Sequence, residues 1–100
     1  MEIIVDKRAQ KFVGNQSPSD QARILRYLDL FRQYGFKLTV KYLKKIDQAI
    51  WELRPSDIRV FFGKSKKDNL IVVLHCYKKQ TQKTPQKEIE TAKSRLKEYL

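Results

Sequence analysis

Apolar residues recur along this chain at two spacings, and each change of spacing marks a change of element. Between Ile24 and Phe31 the apolar positions Ile24, Leu25, Leu28 and Phe31 fall on one helical face, opposite Arg23, Arg26, Asp29 and Gln33. Ser17-Pro18-Ser19-Asp20 just upstream has the chemistry of a helix start: a capping serine, a proline at the first position and an acid near the positive end of the dipole. Gly35 supplies the stop. The pattern predicts a helix from Pro18 to Tyr34. Beyond it the period shortens to two, with strands predicted at roughly 50–54, 58–62 and 69–77. Met1 to Val5 reads as a further short strand, and residues 36–49 as a loop with a helical turn around Val40 to Ile46. Gly63-Lys64-Ser65-Lys66-Lys67-Asp68-Asn69 supplies a hairpin turn.

A second helix signal closes the chain. Thr84 can cap, Pro85 fits the first position, and Glu88 and Glu90 sit near the start. Ile89, Ala92, Leu96 and Tyr99 make one apolar stripe, with Lys93, Arg95 and Lys97 in the later turns. The expected fold class is α+β: a small, mainly antiparallel sheet with helices packed on one face and the other face open. Residues 1–100 are expected to form a single domain.

Charge sharpens this picture more than size does. The formal net charge is +11, with ten basic against five acidic residues in 1–50 and twelve against six in 51–100. The folded body itself is therefore cationic, and a polyanion or an acidic protein is the expected partner. No apolar stretch reaches the ~20 residues of a membrane span, and Met1-Glu2-Ile3 lacks the start of a signal peptide. The single Cys76 cannot form an internal disulfide, which fits a reducing cytoplasm. With no Cys/His metal spacing and no glycine-rich phosphate loop, neither a metal nor another cofactor is expected.

Two segments carry candidate chemistry. The apolar run Leu70-Ile71-Val72-Val73-Leu74 breaks into His75-Cys76-Tyr77-Lys78-Lys79-Gln80-Thr81-Gln82-Lys83, so lysines leave a buried strand on a rigid edge beside an aromatic. Positioned cations of this kind suit phosphates. In Trp51-Glu52-Leu53-Arg54 the apolar pair points one way and the charged pair the other. Ile58, Val60 and Phe62 share a core face and Arg59 and Phe61 the opposite one, so adjacent strands would bring Glu52, Arg54 and Arg59 together. His75, the only histidine, lies inside an apolar strand and reads as a satisfied, partly buried side chain.

These residues carry a family resemblance. Ile50-Trp51-Glu52-Leu53-Arg54, Ile58-Arg59-Val60-Phe61-Phe62, the run from Leu74 to Pro85, and Glu88-Ile89-Glu90 resemble the motif series of phage-derived, HigB-like toxins of the RelE/ParE superfamily. Lys41-Tyr42-Leu43-Lys44-Lys45-Ile46 resembles the segment that precedes the tryptophan in these toxins. The chain departs from the pattern at Cys76, where relatives more often have a small residue. It departs also at Phe62, where many have a tyrosine whose hydroxyl any acid–base role there would need. The resemblance implies a RelE-like toxin fold and the toxin of a type II toxin–antitoxin system. It further implies cleavage of mRNA, commonly on the ribosome, and neutralisation by a cognate helix-turn-helix antitoxin in a toxin–antitoxin hetero-oligomer. The ParE branch poisons DNA gyrase instead, and a noncatalytic RNA-binding domain is the remaining alternative.

Metal-independent RNA cleavage uses the 2′-hydroxyl as nucleophile on the adjacent phosphate. It needs that hydroxyl deprotonated, the phosphorane charge stabilised and the leaving 5′-oxygen protonated. Arg54 and Arg59 are natural phosphate clamps. Lys78 or Lys79 adds charge, or exchanges a proton if cationic neighbours depress its pKa; the pattern does not say which faces the cleft. Glu52 is either the base or the group that orients the two arginines. Glu52, Arg54, Arg59, Lys78 and Lys79 are thus the candidate catalytic residues, and Lys64, Lys66, Tyr77, Gln82 and Lys83 the candidate RNA-binding ones. Arg23, Arg26 and Arg32 make the helix from Pro18 to Tyr34 a further docking face for an acidic antitoxin.

Overall fold

Nine residues of nearly unbroken apolar character, Leu70–Lys78, form the strand around which the rest is built. The computed structural model describes residues 2–66 and 70–100. Its elements, in chain order, are β1 (Glu2–Val5), α1 (Lys7–Gly14), α2 (Pro18–Tyr34), β2 (Leu43–Lys45), β3 (Trp51–Leu53), β4 (Ile58–Lys64), β5 (Leu70–Lys78) and α3 (Gln86–Leu96), with short 3-10 turns at Gly35–Lys37 and Lys97–Tyr99. The sheet order is β1-β5-β4-β3-β2. β1 runs parallel to β5, and the other pairings are antiparallel. The α+β class with a mainly antiparallel sheet is therefore as the sequence implied.

Helix α2 forms where its local signals place it. The Ser17 hydroxyl accepts from the Asp20 amide at 3.1 Å, Pro18 opens the helix, and Gly35 closes it at φ 60°. Ile24, Leu28 and Phe31 are buried, but Leu25, which the pattern also assigns to the apolar face, is 58% exposed. The expected loop at 36–49 contains more structure than its pattern shows. Of the helical turn expected around Val40 to Ile46, only its start forms, with the Tyr42 and Leu43 amides donating to the Thr39 carbonyl at 2.9 and 3.0 Å; Leu43–Lys45 then forms edge strand β2 against β3. Helix α1, absent from the sequence reading, is capped by Asp6, whose side chain accepts from the Arg8 amide at 2.8 Å, and it buries Ala9. At the C-terminal helix the cap position falls on Pro85 without a side-chain hydrogen bond, one residue beyond the expected Thr84. Gly63 and Lys64 continue β4 instead of turning, and the rest of the expected hairpin turn includes residues 67–69, outside the described ones.

The helices do not share one face. Ala9, Ile24, Leu28 and Phe31 pack with Ile58, Val60, Phe62, Ile71, Val73 and Cys76 on one side. Ile89, Ala92 and Leu96 of α3 pack with Phe61, Val72 and Leu74 on the other. The reason lies in β4 and β5, where consecutive residues are apolar and both faces need cover. Gly63 lets α3 close down, since a Cβ there would meet Leu96 Cδ1 at 3.0 Å and the Ala49 carbonyl oxygen at 3.2 Å. The charged residues Glu52, Arg54 and Arg59 lie on this second face beside Phe61 of the α3-packed cluster.

One irregularity matters for function. Phe61 pairs with His75 and Phe62 with Val73, so Leu74 is an extra residue on β5. This bulge resets the alternation. Val72 and Leu74 face α3 before it, and Tyr77 faces α3 after it.

Candidate functional site

Strands β3 and β4 bring three charged side chains together on the α3 face. Glu52 pairs with Phe61, and Leu53 with Val60, which sets Arg54 alongside Arg59. Glu52 is 3% exposed, with its Oε1 3.3 Å from Arg54 Nε and 3.9 Å from Arg59 Nε. Arg59 is buried, and its Nη1 donates to the carbonyls of Ser56 (2.8 Å) and Ile58 (2.9 Å). It thereby braces the turn in which Ser56 adopts φ 55°. Arg59 is thus not the loosely held, open-face side chain that strand alternation implies. Arg54 holds the 40–42 segment, donating from its amide to the Tyr42 carbonyl (3.1 Å) and from Nη1 to the Val40 carbonyl (3.2 Å).

The cluster is under-satisfied. Among the described residues, the buried side-chain polar atoms outside hydrogen-bond geometry are Arg54 Nε and Arg59 Nε, which keep only their ion pairs to Glu52, and Tyr77 Oη. The Tyr77 hydroxyl approaches Thr84 without completing a bond of good geometry, and burial with the nearby Glu52 charge raises its pKa. Buried donors left short cost stability, so their concentration in one place makes this the candidate site. Burial also pushes the Glu52 carboxyl above its ordinary value, outweighing the attraction of Arg59, Arg54, Lys79 and Lys44.

Lys79, one residue beyond β5, joins this group, and Lys78 does not. The Lys79 amide donates to the Asp57 carbonyl at 2.6 Å. Its ammonium is held below the usual lysine value first by desolvation, then by Arg59 and Arg54. Lys78 points away, 54% exposed, with Nζ 3.8 Å from Asp57 Oδ2. An open cleft of about 610 Å³ adjoins the cluster at Arg59 and Lys79, and is lined also by Ser56, Asp57, Gln80, Thr81 and Gln82. Ser56 and Asp57 were not singled out by sequence reasoning; the Pro55-Ser56-Asp57 turn between two charged strands was the signal available.

The remaining candidates are dispersed. Tyr77 is buried, edge-on to Phe61 at 5.3 Å, and does not line this cleft, so its ring is not a free stacking platform. Lys83 is exposed in the loop that carries Gln82. Lys64 ends β4 five residues from Arg59, roughly 16 Å along the strand, and Lys66 lies beyond it. Neither reaches the cleft. His75 is partly buried and engaged at both nitrogens, with Nε2 2.7 Å from Glu88 Oε1 and Nδ1 3.3 Å from Arg95 Nη1. Arginine can only donate, so Nδ1 accepts and Nε2–H donates to the carboxylate. Phe62 is buried among Phe31, Phe36 and Trp51 on the opposite face, so a tyrosine hydroxyl there would start from the side away from Glu52. Among the described residues no group of three or more His, Cys, Asp or Glu side chains could hold a metal ion, and no helix is long and apolar enough to cross a membrane.

Comparison with known proteins accounts for this architecture. Residues 11–97 match the family model described as phage derived protein Gp49-like. A sequence comparison with curated proteins returned no match. Among solved structures the chain is similar to the archaeal RelE–RelB complex from Pyrococcus horikoshii OT3, with a TM-score of 0.67 at 20% identity, covering 82% of this chain and 97% of that one. It is also similar to the isolated E. coli RelE toxin, with a TM-score of 0.63 at 13% identity, covering 89% and 95% respectively. The chain therefore belongs to the phage-derived Gp49-like family and has the fold of the RelE toxins, the placement that its own motifs implied.

Proposed function

We propose that this protein is the toxin of a type II toxin–antitoxin pair and acts as a metal-independent endoribonuclease on mRNA in the cytoplasm. The observation that carries this reading is the under-satisfied Glu52–Arg54–Arg59 cluster beside a cleft that also holds Lys79. Likeness to the RelE toxins, one of them in complex with RelB, supports an antitoxin as partner. The +11 charge suits both a polyanionic substrate and an acidic neutralising protein. We take the antitoxin to be a helix-turn-helix protein and the substrate to be met on the ribosome.

In the reaction, the 2′-oxygen attacks the adjacent phosphorus while the bond to the 5′-oxygen breaks, leaving a 2′,3′-cyclic phosphate and a 5′-hydroxyl. Arg54 and Arg59 stabilise the charge on the phosphorane, with Lys79 as the third cation. Glu52 is too buried to reach a ribose and acts as a positioning residue that sets the two guanidinium planes. The ionisable groups lining the cleft that can exchange protons are Asp57 and Lys79. Lys79, with its depressed pKa, gives a proton to the leaving oxygen, and Asp57 takes one from the 2′-hydroxyl.

Induced expression without antitoxin tests the reading. Growth should stop with loss of intact mRNA, and Arg54→Ala should relieve the arrest while the protein stays folded. Growth arrest with intact mRNA and accumulating DNA breaks would overturn it in favour of a gyrase poison.

A further inference from the structure

A second cleft adjoins the first. It encloses about 510 Å³ between α2 and the segment before β2, and its lining includes Arg23, Arg26, Tyr27, Lys41, Tyr42 and Ser56. Ser56 lines both clefts, so the two meet at the turn that Arg59 braces. Arg54 links them from the other side, because it bonds to Val40 and Tyr42 at the second cleft and pairs with Glu52, which also pairs with Arg59 of the first.

The chemistry of the lining is specific. Tyr27 and Tyr42 stand 5.6 Å apart at an interplanar angle of 50°, with Lys41 Nζ 5.5 Å from the Tyr42 centroid. Among the described residues neither Arg26 nor Lys41 has a carboxylate within ion-pair distance, and Arg23 has only Asp20 at 3.4 Å. Unneutralised cations beside aromatic rings form the arrangement that holds single-stranded nucleic acid, with phosphates on the cations and a base against a ring. An acidic protein segment would use the cations but leave the two tyrosines without a role.

We propose that this second cleft is a substrate subsite that holds RNA nucleotides flanking the scissile phosphate, with a base against Tyr27 and Tyr42 and phosphates on Arg23, Arg26 and Lys41. The inference rests on the ribonuclease reading, and it deepens that reading by giving the substrate strand a direction across the surface, from the first cleft past Ser56 toward α2. It also assigns Arg23 and Arg26 to RNA instead of to an antitoxin.

The test uses 2′-O-methyl oligonucleotides, which lack the nucleophilic hydroxyl and cannot be cut, so binding is measured apart from cleavage. A trinucleotide fills the first cleft alone, and an oligomer of about eight nucleotides reaches the second. The wild-type protein should bind the longer probe more tightly. The double variant Arg26→Ala/Lys41→Ala should lose at least about tenfold for the longer probe, with a shallower salt dependence, and nothing for the trinucleotide. Tyr27→Phe should keep the longer probe's advantage and Tyr27→Leu should lose it, while Arg32→Ala serves as the control. Unchanged affinity of the double variant for the longer probe would overturn the subsite. Unchanged RNA affinity with slowed association of an acidic antitoxin would also overturn it, assigning the face to protein docking. Absence of cleavage is read separately, on ribose RNA, so failure of the nuclease reading is distinguishable from failure of the subsite.

Discussion

Replacing Lys79 and Lys78 in turn by alanine separates a positioned cation from a solvated one. Lys79 is partly buried at the cleft, its backbone fixed to Asp57 at 2.6 Å, and its ammonium shares the space of Arg54 and Arg59. A unit charge about 4 Å from a developing negative charge contributes ~4 kcal/mol at an effective dielectric near 20 and ~1 kcal/mol in bulk water. The open cleft lies between these limits, so removing Lys79 should cost about 2 kcal/mol, or roughly 30-fold in rate. Lys78 is 54% exposed and 3.8 Å from Asp57, and an exposed charge of this kind contributes below about 0.5 kcal/mol, roughly twofold. The assay is the initial rate of cleavage of a defined mRNA, with thermal melts to show that both variants are folded. Lys79→Arg should restore the cation but not the proton delivered to the leaving oxygen, since arginine holds its proton, so it should recover only part of the lost rate. A Lys78→Ala loss equal to that of Lys79→Ala would refute the reasoning, because it would mean that the cleft does not distinguish the two.

Three further outcomes follow from the packing. Burial outweighs attraction at Glu52, so the folded state binds this proton more tightly than the unfolded state and stability falls as pH rises above the ordinary carboxyl value of 4.5; Glu52→Gln should therefore melt within about 1 kcal/mol of wild type at neutral pH yet cut RNA more slowly. Gly63→Ala should destabilise by about 1–3 kcal/mol in urea unfolding, because the new methyl meets Leu96 and the Ala49 backbone, and an unchanged midpoint would show that α3 shifts freely. Burial pushes the Cys76 thiol up to about 12, so the folded state binds this proton more tightly than the unfolded state, and stability should fall as pH rises from the ordinary thiol value of 9.0 towards 12. Cys76→Ala should flatten that slope, and alkylation of Cys76 at pH 8 should be far slower in the folded protein than in urea.

What the sequence determined by itself was whatever its neighbours in the chain decide. Helix α2 was legible from Ser17 to Gly35 because capping, proline placement and a glycine stop act within a few residues. The convergence of Glu52, Arg54 and Arg59 was legible because alternation holds within β3 and within β4. Helix α1 escaped notice because its apolar content, Ala9, Phe12 and Val13, is too small to stand out until it meets β5. β2 is only Leu43–Lys45, and its pairing with β3 makes it a strand. That α3 covers the face opposite α1 and α2 depends on the two-sided burial of β4 and β5, which no single strand announces. The choice between Lys78 and Lys79 depended most on tertiary structure. Strict alternation from Val72 and Leu74 would carry Lys78 to the cleft face, but the extra residue at Leu74 shifts the parity, so His75, Tyr77 and Lys79 follow it there instead. A bulge exists only between paired strands, and pairing is a long-range fact that residues 75–79 do not contain on their own.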